Sequence, residues 1–121
     1  MFRSRFCWIC RDRLSLHMSS RLEQLQQMLL QEPNDEFLQY AIAIEYFSAG
    51  QVEKAVDGLE KILSNNKNYL AAYYQLGKFY EAQNKITEAK VIYEQGVAIA
   101  HEQKNTKTLN ELREAIFLLE D

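Results

Sequence analysis

Residues 73–93 read YYQLGKFYEAQNKITEAKVIY, and this stretch has a counterpart earlier in the chain. A shift of 34 residues places it on residues 39–59, which read QYAIAIEYFSAGQVEKAVDGL. The shift aligns Ile42 with Leu76, Ala43 with Gly77, Tyr46 with Tyr80, Val52 with Ile86, Ala55 with Ala89 and Leu59 with Tyr93. A repeat of this length indicates two copies of one supersecondary unit, stacked so that neighbouring copies share a core.

The sizes of the recurring side chains predict pairs of closely packed helices. Small residues stand where two helices must approach each other: Ala43, Ala55, Gly77, Ala89 and Gly96. In the second helix of each pair, apolar residues follow the spacing of one helix face. They are Val52, Ala55, Val56, Leu59, Ile62 and Leu63 in the first copy, and Ile86, Ala89, Tyr93, Gly96, Val97 and Ala100 in the second. Gly50 and Asn84 mark the turns, because both residues tolerate left-handed backbone.

The second copy carries a recognisable signature. Tyr73-x-x-Leu76-Gly77-x-x-Tyr80, followed by Ala89-x-x-x-Tyr93, resembles the W-x-x-L-G-x-x-Y and A-x-x-x-F pattern of the tetratricopeptide repeat. The departures are Tyr73 in place of tryptophan, Gln39 at the same place in the first copy, and Lys67 and His101 at the places of the closing proline. The resemblance covers about residues 34–102. The layout, with its TLNELREAI tail, is also similar to short bacterial repeat-containing proteins.

The resemblance implies an all-α protein, an antiparallel helix-pair solenoid with two full repeats, an N-terminal half-repeat helix and a C-terminal capping helix. We expect helices near residues 19–31, 34–49, 51–65, 68–83, 85–102 and 105–120. Repeat 1 covers about 34–67, repeat 2 about 68–102, and the capping helix, begun by Asn105 or Thr106, about 105–120. Pro33 ends the half-repeat helix. Leu109, Leu112, Ile116 and Leu119 form the apolar face of the capping helix.

Residues 1–17 differ in kind from the domain expected over residues 18–121. They contain both cysteines, the only tryptophan and four arginines against a single acid, which leaves 10 basic and 16 acidic residues, a net charge of −6, for residues 18–121. We interpret this basic head as disordered or as a mis-called start, with translation beginning at Met18 and Ser19 or Ser20 capping the first helix; a transit peptide ranks lower. Cys7 and Cys10 have CxxC spacing but no second ligand pair, so two incidental thiols are favoured over a zinc site.

Composition and motifs exclude several classes of function. The net charge of −3 and the interleaving of lysines with acids give no attraction to nucleic acid. No apolar run approaches the roughly 18 residues of a membrane span, and no secretory signal is visible, so we expect a cytoplasmic protein. There is no Gly-rich phosphate loop, HExxH or GxSxG motif. We therefore predict no catalytic residue, cofactor, metal or small-molecule substrate.

The resemblance implies that the first helix of each pair lines a concave groove that binds peptides or helices. The predicted groove residues are Phe37, Tyr40, Ile44, Phe47, Ala71, Tyr74, Gln75 and Lys78. Tyr40, Ile44 and Gln75 stand at places where chaperone-binding members carry a carboxylate clamp, so an apolar or amphipathic ligand is favoured here. The stripe Phe37–Phe47 lies on a helix that is apolar all round, so something covers it. An end helix of the chain, a partner protein or a second copy remain open. The expected function is protein–protein interaction, with homo-oligomerisation through this stripe as the alternative and an enzyme as a remote third.

Overall fold

The computed structural model describes residues 21–120, and these residues form six helices and no strand. The helices are α1 (21–31), α2 (Glu36–Ser48), α3 (Val52–Asn65), α4 (Leu70–Ala82), α5 (Ile86–Glu102) and α6 (Thr106–Leu119). The all-helical solenoid expected from the sequence is confirmed. The expectations for residues 1–17, for a start at Met18 and for a cap at Ser19 or Ser20 lie outside the described residues.

Two helices begin with a side-chain cap. The Asn105 side chain accepts a hydrogen bond of 3.1 Å from the Thr108 amide, which confirms Asn105 as the start of the capping helix. The Asp35 carboxylate does the same for α2, with 3.2 Å to the Leu38 amide, and this cap was not predicted. In each case one of the amides that a helix start leaves without a partner is satisfied.

The turns inside the two repeats have the same geometry. Gly50 and Asn84 adopt φ of 83° and 62°, the left-handed backbone that the sequence predicted. In both turns the backbone amide of the next residue donates a hydrogen bond to a carbonyl of the preceding helix. Gln51 donates to Tyr46, and Lys85 donates to Tyr80, at 2.9 Å each. Lys104, before α6, also adopts left-handed backbone, with φ of 58°. Lysine is not a residue type that predicts this conformation.

The helices pack in chain order around two apolar clusters. α2 contacts α3, α3 contacts α4, α4 contacts α5 and α5 contacts α6, and connections this short make neighbours antiparallel. The first cluster has Ala43, Ala55, Val56, Leu59, Ile62, Ala72, Leu76 and Phe79, and the second has Leu70, Tyr73, Ala89, Tyr93, Ala100, Leu112 and Ala115. The core thus runs continuously through both repeats into α6, which buries the end of the stack as a capping helix does.

Glycine allows the closest contacts between helices in the second repeat. A methyl group at Gly77 would overlap the ring of Tyr93, which is fully buried on α5. A methyl group at Gly96 would lie 2.8 Å from the Tyr73 Cβ atom, again inside van der Waals contact. The small residues predicted at these helix contacts therefore have a steric cause.

The prediction that Ile86 belongs to the buried face of α5 is wrong. Ile86 is 42% exposed, whereas the other positions of the stripe are buried or half-buried. The reason is the length of α6, which ends at Leu119. Glu120, the next residue, pairs with Lys90 at 3.0 Å, one turn short of Ile86, so α6 does not reach the start of α5.

Polar contacts between helices also follow the 34-residue register. The Gln26 side chain on α1 donates a hydrogen bond of 3.1 Å to the Tyr46 hydroxyl, and the Tyr80 hydroxyl donates to Glu60 at the corresponding position on α3. Tyr46 and Tyr80 thus occupy equivalent surroundings. The half-repeat helix α1 therefore stands to repeat 1 as α3 stands to repeat 2.

The residue at the signature tryptophan position has one hydrogen-bonding role in both repeats. The Tyr73 hydroxyl donates 2.7 Å to the Lys67 carbonyl, and the Gln39 amide donates 2.8 Å to the Pro33 carbonyl, 34 residues earlier. Both side chains thus bond the carbonyl at the place of the closing proline. Gln39, a departure in residue type, keeps the contact that Tyr73 makes.

The contact between Gly77 and Tyr93 predicts a large cost for a single methyl group. Gly77→Ala should lower the free energy of unfolding by up to about 2 kcal/mol, because overpacking of the α4–α5 interface costs about 1–3 kcal/mol and the helix propensity of alanine returns about 1 kcal/mol. Gly58→Ala is the matched control, since its methyl would lie 3.3 Å from the Ala43 Cβ atom, and the helix propensity of alanine, worth about 1 kcal/mol, offsets that contact. Urea unfolding followed by circular dichroism measures both. Equal midpoints for the two variants would contradict the steric account.

Tyr93 also predicts how stability depends on alkaline pH. Burial, a hydrogen bond to Glu81 and the charge of Glu81 raise the pKa of the Tyr93 hydroxyl far above its ordinary value of 10.0. The protonated Tyr93 hydroxyl therefore contributes its full share to the free energy of unfolding below pH 10, where an unfolded tyrosine is also protonated. This contribution is lost as the pH rises above 10. Tyr93→Phe should therefore flatten the loss of unfolding free energy above pH 10 by up to about 1.4 kcal/mol per pH unit. Parallel curves for wild type and variant from pH 9 to 12 would refute this.

Candidate functional site

The predicted groove residues lie on the two first helices, α2 and α4, and differ widely in exposure. Phe37, in the first turn of α2, is 67% exposed. Ala71, in the first turn of α4, is also exposed. The remaining residues are half-buried: Tyr40, Ile44, Phe47, Tyr74, Gln75 and Lys78. We call these eight residues the first-helix face.

Aromatic side chains join the α2 half of this face to α4. The Phe47 ring stacks on the buried ring of Phe79, with centroids 4.3 Å apart and planes at 10°. The Tyr40 ring is 5.8 Å from the ring of Tyr69, just before α4. Burial raises the pKa of the Tyr40 hydroxyl above its ordinary value.

The α4 half of the face contains the positive charge. The Lys78 ammonium lies 5.5 Å from the centroid of the Tyr74 ring, within the range of a cation–π interaction. Tyr74 in turn has its ring 6.2 Å from that of Tyr93. Among the side chains of residues 21–120, no carboxylate forms an ion pair with Lys78. A cation held over an aromatic ring is thus available to a negatively charged or carbonyl group of a ligand.

Among residues 21–120, α4 and the residue before it cover the α2 stripe, through Tyr69 and Phe79. The helix α1 meets α2 elsewhere, at Glu45, which pairs with Arg21 at 3.1 Å, and at Tyr46. The cap α6 packs on α5. The neighbouring first helix therefore covers Phe47 and part of Tyr40, and Phe37 stays largely exposed.

Two clefts on the second-helix side have no counterpart in the sequence interpretation. One, of about 540 Å³, lies between α3 and α5 and includes Leu63, Leu76 and Ile92. The other, of about 370 Å³, lies between α1 and α3 and has Leu29, Ile42 and Gly58 at the corresponding positions. Their lining follows the 34-residue register, so the clefts arise from the stacking of the repeats. None of the eight residues of the first-helix face lines either cleft.

Two features of the described residues concern metal binding and membrane spans. No set of three or more His, Cys, Asp or Glu side chains within residues 21–120 is arranged to hold a metal ion. No helix in this part of the chain is long and apolar enough to cross a bilayer. Among the tyrosine hydroxyls with raised pKa, those of Tyr80 and Tyr93 donate hydrogen bonds to Glu60 and Glu81 on the preceding helix. They stabilise helix contacts, and they do not converge on a shared site.

Comparison with known proteins identifies relatives of the sequence. A family model described as tetratricopeptide repeat matches residues 16–89, more than half of the chain. A tetratricopeptide repeat-containing protein of Pseudomonas aeruginosa is 29% identical over 79 residues, which cover 65% of this chain and 75% of that protein. The residues matched by the family model include α2, α3 and α4 and the turn inside each repeat.

Solved structures agree with the fold. The tetratricopeptide repeat domain protein of Salinibacter ruber, determined by NMR, is 33% identical and superposes with a TM-score of 0.70, covering 73% of this chain and 89% of its own. PcrH, crystallised in complex with the chaperone binding region of PopD, superposes with a TM-score of 0.77 at 10% identity, covering 87% of this chain and 80% of its own. At that identity the second likeness shows the fold alone.

Proposed function

Because the chain belongs to the tetratricopeptide repeat family, we propose that it binds a peptide or helix of another protein on its first-helix face. Family members are generally non-catalytic interaction modules. PcrH, which shares the fold, is seen with a segment of PopD. A binding role of this kind needs a surface that the repeats leave free, and the first-helix face offers one.

The exposure of Phe37 is the observation that carries the proposal. A phenylalanine that is 67% exposed loses the stabilisation that burial provides, about 1.5–3 kcal/mol for a fully buried side chain. It lies on the same face of α2 as Tyr40 and Ile44, which are both half-buried. Aromatic residues in such surroundings are the typical anchors of protein interfaces.

The α4 half of the face contains a hydrogen-bond donor that can fix the orientation of a ligand. Lys78 above Tyr74 can donate hydrogen bonds to one carboxylate or carbonyl group of the ligand. The small side chain of Ala71, exposed at the start of α4, leaves room for a bulky ligand residue. A ligand with one apolar side and an acidic group toward Lys78 fits this surface, and an amphipathic helix meets both requirements.

The test is a comparison of partner capture by variants that differ at one exposed position. Phe37→Asp removes the apolar anchor, and because the side chain is already exposed, the fold should be unaffected. Capture from lysate of the source organism, quantified by mass spectrometry, should fall about tenfold or more for the specific partner, since the loss of a buried aromatic contact exceeds about 1.4 kcal/mol.

Leu30→Asp is the matched control, because Leu30 is also an exposed large apolar residue, 80% exposed, but lies on α1 away from the first-helix face. It should leave capture unchanged. Circular dichroism must show equal helix content for both variants. If the same proteins are captured by Phe37→Asp and by wild type, the first-helix face is not the binding surface.

A further inference from the structure

The helix α1 is a second helix without its first helix in the described part of the chain. The 34-residue register aligns Leu25 and Met28 of α1 with Leu59 and Ile62 of α3. In α3 these positions are 0% and 1% exposed, packed in the cluster that contains Ala43 of α2. In α1, Leu25 is half-buried and Met28 is 53% exposed. The face that a repeat normally buries against its own first helix is therefore only partly covered by residues 21–120.

Along this partly exposed face, a positive residue stands at one end and a negative residue at the other. Arg21, Leu25, Met28 and Glu32 follow each other at spacings of four, three and four residues, so they lie in one row along α1. Glu32 keeps the helical register, because its amide donates 3.2 Å to the Met28 carbonyl. The row thus reads positive, apolar, apolar, negative, and we call it the α1 row.

The α1 row is complementary to itself when reversed. We propose that two copies of this chain associate through their α1 helices, antiparallel about a two-fold axis between Leu25 and Met28. This arrangement places Leu25 against Met28 of the partner subunit and Arg21 against Glu32 of the partner subunit, and symmetry gives each contact twice. The same residues in parallel order would bring like charges together, so charge selects the antiparallel pair.

Arg21 can make the new contact without giving up its present one. Its Nε atom pairs with Glu45 at 3.1 Å, while the side chain as a whole is 65% exposed. A guanidinium has five N–H donors in a fork, and the terminal ones are free for a second carboxylate. Glu32 is exposed, and no ion pair engages it within residues 21–120.

The expected dimer is weak, because a single pair of short helices buries less than the roughly 1,600 Å² of a standard interface. We expect a dissociation constant of about 10–200 µM, which makes the dimer visible only in concentrated solution. Sedimentation equilibrium on the full chain from about 5 to 500 µM covers this range. A chain that stays monomeric over this whole concentration range would overturn the proposal. This holds also if the cause is that other residues of the same chain cover the α1 row.

Charge reversal tests the arrangement directly. Glu32→Arg places two arginines opposite each other in each half of the dimer, and Arg21→Glu places two glutamates there. Each variant alone should dimerise at least about tenfold more weakly than wild type, since two attractive pairs become repulsive. In a heterodimer of the two variants every pair becomes Glu opposite Arg, so an equimolar mixture should associate more strongly than either variant alone. Arg21→Glu also loses its contact with Glu45, and mixing does not restore that contact.

Two further variants locate the interface. Leu30→Glu changes an exposed apolar residue on another side of α1 and should leave the dimer unchanged. Phe37→Asp should also leave it unchanged, because the first-helix face is a separate surface. Loss of self-association in Phe37→Asp, unaltered association in Glu32→Arg, or a mixture no stronger than its components would each overturn the α1 interface.

Discussion

The stack depends on how closely α4 and α5 approach each other at Gly77. The Tyr93 ring lies in the space that a side chain at Gly77 would take, and its hydroxyl is held by Glu81 one turn further along α4. Because the ring is fully buried, its position fixes both the distance and the rotation of α5 relative to α4. The next contact, in which Gly96 of α5 receives Tyr73 and Leu112, follows from that placement. The close approach of the helices through the second repeat into α6 thus depends on two glycines.

The repeats preserve contacts more faithfully than residue types. Gln39 and Tyr73 differ in size and chemistry, yet each bonds a carbonyl six residues earlier in the chain. Tyr46 accepts a hydrogen bond where Tyr80 donates one, because its partner is an amide in one repeat and a carboxylate in the other. The hydrogen bonds recur at equivalent positions although the groups that form them differ. The period is therefore a period of backbone positions and of hydrogen-bond partners.

Much of the fold could be predicted from the sequence, because packing and backbone geometry leave marks on single residues. Gly50 and Asn84 predicted the two turns correctly, and Asn105 predicted the start of α6. Lys104 adopts the same backbone without any such mark, since lysine is common everywhere. The exposure of Ile86 depends on where α6 ends, which the α5 sequence does not contain. The cover of the first-helix face was left open for a similar reason. Periodicity gives the direction of a side chain on its own helix, and the stacking of Phe47 on Phe79 depends on the angle between two helices.

Within the first-helix face, the register separates residues that hold the repeats together from residues that are free. Tyr40 and Tyr74 are the same residue in both repeats, and both have their rings against another tyrosine. Phe37 corresponds to Ala71, and Ile44 to Lys78, so size and charge change freely at these two positions. A position that accepts either phenylalanine or alanine in the same geometry is not constrained by the packing of the repeat. Its side chain can be selected for contact with something outside the repeat, and this is why Phe37 and Lys78, which break the period, are stronger candidates for recognition than the tyrosines, which keep it.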